Sequence, residues 1–506
     1  MTHKKSRVYQ VAIYGFRALT VLVISNSSIA QTDIDVSQYT STPFDSSPVT
    51  EHRTPSGDWR IDGLIKFQNS TNGRKWGGPV GTGAIITYSF PQVGAVWAGA
   101  DLGLGVPYYS DRQEPYVGFE GFNDLDKSLA RAALKLWEDV ANVKFIEVQE
   151  SENTVGSIRF GWTEQSNFTA HSSSPSELPR GADVWFNQAY KDFHRSYGHE
   201  KPQFTCDISQ TTGLFVHEIG HSLGLNHDGS GDTGLREYDN KSYTVMSYNA
   251  NGLMGCLSQW GKPMQFDILA IEYLYGKKNG DNTPVVGDYT FYGSSKSDHL
   301  VGLSGNDNFN GYAGNDTFVA GGGNDFVNGG SGVDTITFNK EKSFYNVGNN
   351  WVNSADGNVN FSEVERLEFT DKKVAFDLSL DGSAGKAARI IGAAFGKSFI
   401  TPEYTAAAIG LFDSGYSLVE VSQMIIDFEP FQSLVGSKEN AALINIIFKN
   451  VLGRNATSEE TGYYKGLLVG DGGAMTQAQL LVLAAENSLN EASININSLL
   501  QTGVEY

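Results

Sequence analysis

The chain of 506 residues has only two cysteines, Cys206 and Cys256, so no disulfide framework can hold it together. They can form one bridge, worth about 4 kcal/mol by loop entropy, or stand as two separate thiols, and spacing alone leaves both readings open. The sequence also lacks any apolar run of the ~18–20 residues that a membrane span needs, which excludes a transmembrane helix. It is poor in positive charge: 37 Lys and Arg face 57 Asp and Glu, for a net charge of −20. Phosphate contacts require basic patches, so nucleic-acid binding is excluded too. The acidity suits calcium as a counterion and a secreted protein. With 40% hydrophobic residues and this length, about two to four domains with real cores are expected.

One stretch carries chemistry: His217-Glu218-Ile219-Gly220-His221-Ser222-Leu223-Gly224-Leu225-Asn226-His227. On a helix, His217 and His221 lie about 40° apart around the axis and one turn along it, so both imidazoles can share one metal ion. Gly224 can take positive φ, end the helix and bend the chain so that His227 supplies a third nitrogen. Three histidines leave a fourth position for water, the arrangement of a catalytic zinc site. Glu218 adjoins the first ligand and would face that water as general base, so the expected reaction is hydrolysis of peptide bonds. One catalytic Zn2+ is the expected cofactor, and imidazole suits it.

Along the rest of the chain, Lys4, Lys5 and Arg7 precede a mostly apolar stretch, Val11–Ile24, and Ser28-Ile29-Ala30 has the form of a cleavage site. Residues 1–30 therefore read as a leader, cleaved or retained. Residues 31–60, rich in Ser, Thr, Asp and Pro, read as a disordered linker or pro-segment, with order beginning near Trp59. Alternation at Ile86–Phe90, helical spacing over Leu129–Val140, short strands at Ser157–Phe160 and Asp183–Phe186, and a helix at Phe266–Tyr275 describe a mixed α/β domain over 61–280.

Residues 302–337 repeat with a nine-residue period. Glycine holds the fourth position (Gly305, Gly314, Gly323, Gly332), aspartate the sixth (Asp307, Asp316, Asp325, Asp334), and an apolar residue the eighth (Phe309, Phe318, Val327, Ile336); a weaker copy keeps Asp298 and Leu300. Tight glycine turns, hard oxygen ligands and inward-facing apolar strands predict a stacked coil over 281–385 that folds with several Ca2+ ions. Asp307, Asp316, Asp325 and Asp334 are the expected carboxylate ligands, and Gly305, Gly314 and Gly323 lend backbone oxygens. From 386 to 506 the period turns helical, with Ile444, Ile447, Phe448 and Val451 on one stripe and with 390–428 and 443–485 as weak duplicates. This is an all-helical module with its own core.

The extended motif, with Met246 in Val245-Met246-Ser247-Tyr248, resembles the metzincin zinc metalloproteases, and within them the serralysins. The segments Ile61–Leu64, Lys75–Gly77, Ile86–Phe90, Leu136–Val143 and Asp183–Asn187 resemble serralysin sequence, and the repeats resemble the RTX calcium-binding parallel β-roll of that family. Coverage runs over about residues 60–385, and the helical tail resembles a module at the ends of RTX exoproteins. The resemblance implies a multidomain protein: an α/β metzincin domain, a parallel β-roll, and a small all-α C-terminal domain. It implies that Met246 forms a floor under the histidines and that Tyr248 ligates zinc at rest and then hydrogen-bonds the oxyanion. It implies an extracellular bacterial endopeptidase acting on protein or peptide substrates, laid as a strand along an edge within 165–175, and exported by a type I secretion machinery. The partner of the helical module is unknown. Asp228 stands where serralysins usually have proline, and Gly229–Ser242 also differs, which leaves pocket shape open. The alternative function is a calcium-dependent adhesive or surface-layer protein whose protease domain is inactive or only self-processing.

Overall fold

The computed structural model describes residues 35–45, 47–65, 73–98, 114–165, 168–191, 205–227, 235, 238–249, 261–280 and 284–506, with the backbone alone for 38 and 205–211. The expected leader lies outside these residues, as do Asp228 and Cys256. No described helix is long and apolar enough to cross a membrane.

Around the histidine motif the layers are helix on sheet. A five-stranded sheet has the order β4-β3-β5-β7-β6, from β3 (Ala84–Ser89), β4 (Val143–Glu147), β5 (Ile158–Thr163), β6 (Ala170–Ser172) and β7 (Val184–Asn187). All neighbours are parallel except β6, which runs antiparallel to β7 at the edge. Helix α1 (Trp59–Ile65) precedes it. Helix α2 (Asp124–Glu138) starts at a capping box, in which Asn123 accepts from Asp126 N and Asp126 reaches back to Asn123 N. Its Ala130, Ala133, Leu134 and Trp137 recur at helical spacing and are buried. They pack on helix α3 (Thr205–Ser222), where Trp137 Nε1 donates to Val216 O at 3.1 Å. Burying a tryptophan removes ~200 Å² from water, about 5 kcal/mol at ~25 cal/mol per Å². Helix α4 (Gln265–Tyr275) closes this region.

Two further sheets hold the repeats. One has the order β14-β15-β16-β12-β10-β8-β1-β2, from β1 (Val49–His52), β2 (Gly73–Trp76), β8 (Tyr289–Tyr292), β10 (Asn308–Asn310), β12 (Gly323–Asn328), β14 (Asn346–Val347), β15 (Trp351–Ser354) and β16 (Gly357–Ser362). The other has the order β19-β18-β17-β13-β11-β9, from β9 (His299–Val301), β11 (Thr317–Val319), β13 (Thr335–Thr337), β17 (Arg366–Glu368), β18 (Lys373–Ala375) and β19 (Val504–Glu505). Successive repeats alternate between the sheets, so each strand pairs in parallel with the strand two repeats on: Thr317 with Thr335, Asn308 with Phe326. The apolar eighth positions Phe309, Phe318, Val327 and Ile336 are wholly buried between the sheets.

Strand β1 corrects the expectation that order begins near Trp59, because Val49–His52 lies inside the stretch read as a disordered linker or pro-segment. Val49–His52 is buried and antiparallel to β2 on one side and β8 on the other. Four residues set among Ser, Thr and Pro carry too short an alternation to read, and only their partners make them a strand.

From 383 the chain is helical, as the periodicity predicts. Helix α5 (Ser383–Phe395) is central and buried almost all round. Against it pack α6 (Pro402–Asp413), α7 (Leu418–Asp427), α9 (Asn440–Leu452), α11 (Gln477–Ala485) and α12 (Ser488–Ile494), with α8 (Glu429–Val435), α10 (Ser458–Leu467) and α13 (Ile496–Thr502) outside this ring. Alanine and glycine let the neighbours close in: a Cβ on Gly392 would meet Ile494 Cγ2 at 2.3 Å. This core is separate from the rest, although β19 returns to pair with β18.

Candidate metal centre

Helix α3 places His217, Glu218 and His221 on one buried face. It ends in a Schellman turn: Gly224 N donates to His221 O at 2.9 Å and Leu225 N to Gly220 O at 2.9 Å, with Gly224 at φ +103°. Asn226 N then donates to Leu64 O. The chain is thereby turned so that His227 faces the other two histidines. His217 Nε2 lies 2.9 Å, and His221 Nε2 3.0 Å, from His227 Nε2.

The opposite ring nitrogens fix the tautomers. His217 Nδ1 is 2.8 Å from Val245 O, and His221 Nδ1 is 2.8 Å from Leu225 O. A carbonyl only accepts, so Nδ1 carries the proton and the Nε2 lone pairs point at a common spot. Burial pushes His217 down to about 3 and His227 to about 4, and holds His221 well below the usual range. Protonation therefore does not relieve the clustered lone pairs, and the donor set fits a shared cation with imidazole preference.

Met246 is fully buried and lies against Gly220, between the first two histidines of the motif in sequence. A Cβ on Gly220 would come within 2.6 Å of Met246 Sδ, so a larger residue there would displace the methionine side chain. Tyr248 is 72% exposed, with its ring 4.2 Å from that of His227 and 5.8 Å from that of His217. Glu218 is buried beside them. The strand expected within 165–175 is β6, at the edge of its sheet among the described residues. Cys206 lies in α3 with its side chain undescribed, so the bridge to Cys256 falls outside what the structure describes.

Several residues of the site were not singled out from sequence. Asp267 on α4 is buried and accepts from Thr244 Oγ1 at 2.5 Å, Val245 N at 2.7 Å and Met264 N at 2.7 Å. It thus fixes the turn whose Val245 carbonyl orients His217. Burial raises its carboxyl to about 6. Its signal in the sequence is an acidic residue in the first turn of an otherwise mostly apolar helix. Trp76 Nε1 donates to Ser222 O at 2.9 Å and Tyr275 OH to Leu223 O at 3.0 Å, which clamps the end of α3.

In the repeats the sixth-position aspartates are buried and stack in two columns. Each Oδ1 accepts the N–H of the turn eighteen residues earlier: Asp298 N to Asp316, Asp307 N to Asp325, Asp316 N to Asp334, at 2.7–2.9 Å. The second oxygens divide. Oδ2 of Asp298 accepts from Ser294 N and that of Asp307 from Leu303 N, within their own turns. Oδ2 of Asp316, Asp325 and Asp334 is buried with no hydrogen-bond donor. In these three turns the residue four before the aspartate (Tyr312, Gly321, Gly330) has positive φ, and so have the fourth-position Gly314, Gly323 and Gly332, whereas Gly305 does not. Burial, ahead of all other causes, lifts Asp316 and Asp325 to about 7. Orphaned carboxylate oxygens in a glycine turn fit a hard cation.

Residues 122–241 match the family described as Matrixin, the M10 peptidases. The chain carries a matrixin domain. The match spans the metal motif, and it implies a catalytic zinc. Residues 292–327 and 301–336 match the RTX calcium-binding nonapeptide repeat. Serralysin of Proteus mirabilis is 32% identical over 253 residues, 45% of this chain and 47% of its own. Serralysin G of Dickeya chrysanthemi is 29% identical over 256 residues, 47% and 48% of the two chains. Metalloprotease AprA of Pseudomonas entomophila is 30% identical over 177 residues, 31% and 35%. The chain thus spans about half the length of these two serralysins.

Proposed function

We propose that the chain is a secreted zinc endopeptidase of the serralysin kind. Its catalytic domain would span 61–280, a calcium-loaded parallel β-roll 281–385 and a helical module 386–506. The observation that carries the reading is the convergence of three Nε2 atoms beside the buried Glu218, over Met246. Zinc held by His217, His221 and His227 would supply Lewis acidity, acidifying a water and polarising the scissile carbonyl. Glu218 takes the proton of the attacking water on its carboxylate and passes it to the leaving amine. Tyr248, exposed beside His227, donates its phenolic hydrogen bond to the developing oxyanion. The outer edge of β6 pairs with an extended substrate, which sets the scissile bond in register with Glu218. Calcium is plentiful outside the cell, where the repeats would fold.

Casein cleavage by the calcium-loaded chain, with and without a zinc chelator, tests this. Cleavage should be chelator-sensitive, and Glu218→Ala should abolish it while about one zinc per chain remains. Retained cleavage in that variant removes Glu218 from the role of base. No chelator-sensitive cleavage by folded wild type would favour the adhesive reading instead.

A further inference from the structure

The acidic column does not stop where the nine-residue repeats stop. Asp334 N donates to Glu365 Oε2 at 2.8 Å, as Asp316 N donates to Asp334 Oδ1 at 2.7 Å. Glu365 directly precedes Arg366, which pairs with Thr335, and Asp334 directly precedes Thr335. At the other end of the turn, Gly329 N donates to Ser362 O as Gly311 N donates to Asn328 O. Three residues, Glu363, Val364 and Glu365, therefore do the work of a six-residue repeat turn, with glutamate in the aspartate's place.

The two turns converge on the same spot. A Cβ on Gly311 would meet Gly329 O and Asp316 Oδ2, each at 2.3 Å; one on Gly329 would meet Glu363 O at 2.0 Å and Asp334 Oδ2 at 2.6 Å. Glu363 takes φ +52°, the left-handed region that the repeat turns fill mostly with glycine. Asp334 is fully buried and its Oδ2, aimed at this spot, has no hydrogen-bond donor. The Asp334 carboxylate and the Glu363 carbonyl meet there, and the Glu365 carboxylate accepts from Asp334 N in the same turn.

We propose that the shortened turn Glu363–Glu365 forms, with Asp334 of the last repeat, a further calcium site at the end of the nonapeptide repeats. Asp334 Oδ2, the Glu363 carbonyl and the Glu365 carboxylate are its protein donors, all hard oxygens of the type calcium takes in sets of six to eight, with water completing the shell. The site caps the column, where the next repeat would otherwise supply the acid. It rests on the reading of the repeats as a calcium-binding roll.

Equilibrium dialysis of the full chain against calcium, with bound metal read by atomic emission, tests it. Glu365→Gln keeps an acceptor for Asp334 N–H and removes the charge. The expected result is one calcium equivalent fewer than wild type, with an unchanged circular dichroism spectrum at saturating calcium. Equal, non-zero stoichiometries overturn this site and leave the roll standing. A wild type that binds no calcium overturns both. If Glu365→Gln loses all its calcium, Glu365→Asp decides: recovery of the wild-type stoichiometry supports a carboxylate ligand, and no recovery assigns Glu365 a structural role and overturns the site.

Discussion

Gly224→Ala should damage zinc binding more than it damages the fold. Gly224 sits at φ +103°, where an L side chain costs about 1–3 kcal/mol in backbone strain. A Cβ there would lie 2.2 Å from Arg74 O, against the 3.4 Å at which ordinary contact begins. The Arg74 carbonyl cannot simply retreat, because β2 is paired with β1 at Glu51. The turn must move instead, by more than an ångström, and it carries Asn226 and His227 with it. Metal ligands tolerate about 0.2 Å, and a 1 Å misplacement costs about 10²-fold in rate. The expected outcome is a loss of about 1–3 kcal/mol in urea unfolding, a 10–100-fold loss of zinc affinity by chelator competition, and about 10²-fold in kcat/KM on a peptide. Gly410→Ala is the control. It lies inside a helix with nothing within 4 Å of the added carbon, so it should gain about 0.4–1 kcal/mol and leave activity unchanged. Wild-type zinc affinity and rate in Gly224→Ala would refute the argument that positive φ and the Arg74 contact aim His227.

Asp267→Ala orphans Val245 N and Met264 N in the core, at about 1–3 kcal/mol for each buried donor. It should lower the urea midpoint and weaken zinc binding through the released Val245 carbonyl; an unchanged midpoint would show that the turn holds itself. The calcium-free repeats should be pH-sensitive. Asp316 and Asp325 are raised to about 7 from 3.8, so the folded state binds protons that the unfolded chain has already released. That contribution is fully present below the unfolded value and is lost as pH rises through about 7. Circular dichroism in a calcium chelator should show the roll melting on going from pH 6 to pH 8, with calcium restoring it and releasing protons. Stability rising with pH under the chelator would contradict the burial argument.

The legible parts of the molecule are those whose signal is local. The histidine spacing, the Gly224 stop and the nine-residue register each sit within a dozen residues, and each has the geometry its spacing demands. What escaped are residues whose meaning lies in a distant partner. Gly220 reads as a helix-weakening residue until Met246 Sδ is found against it. Glu365 sits 31 residues beyond Asp334, past an inserted hairpin, so the period that exposes the other acids skips it. The strand β1 has only four residues, all buried, and no alternation to declare them.

That strand also changes how the two metal-bearing regions relate. β8 belongs to the ladder of repeat strands and pairs with β10; β1 pairs with β8; β2 pairs with β1. The Arg74 carbonyl that abuts Gly224 therefore lies in the same hydrogen-bonded sheet as the strands that follow the aspartate turns. At the near end of that sheet Asp307 Oδ1 accepts Tyr289 N, the first residue of β8, at 2.9 Å. A carboxylate of the repeats thus holds β8 in register. β8 and β2 flank β1 at Glu51, opposite Thr290 and Arg74. The order of the repeats reaches the backbone seating His227 through four residues that composition alone would leave disordered.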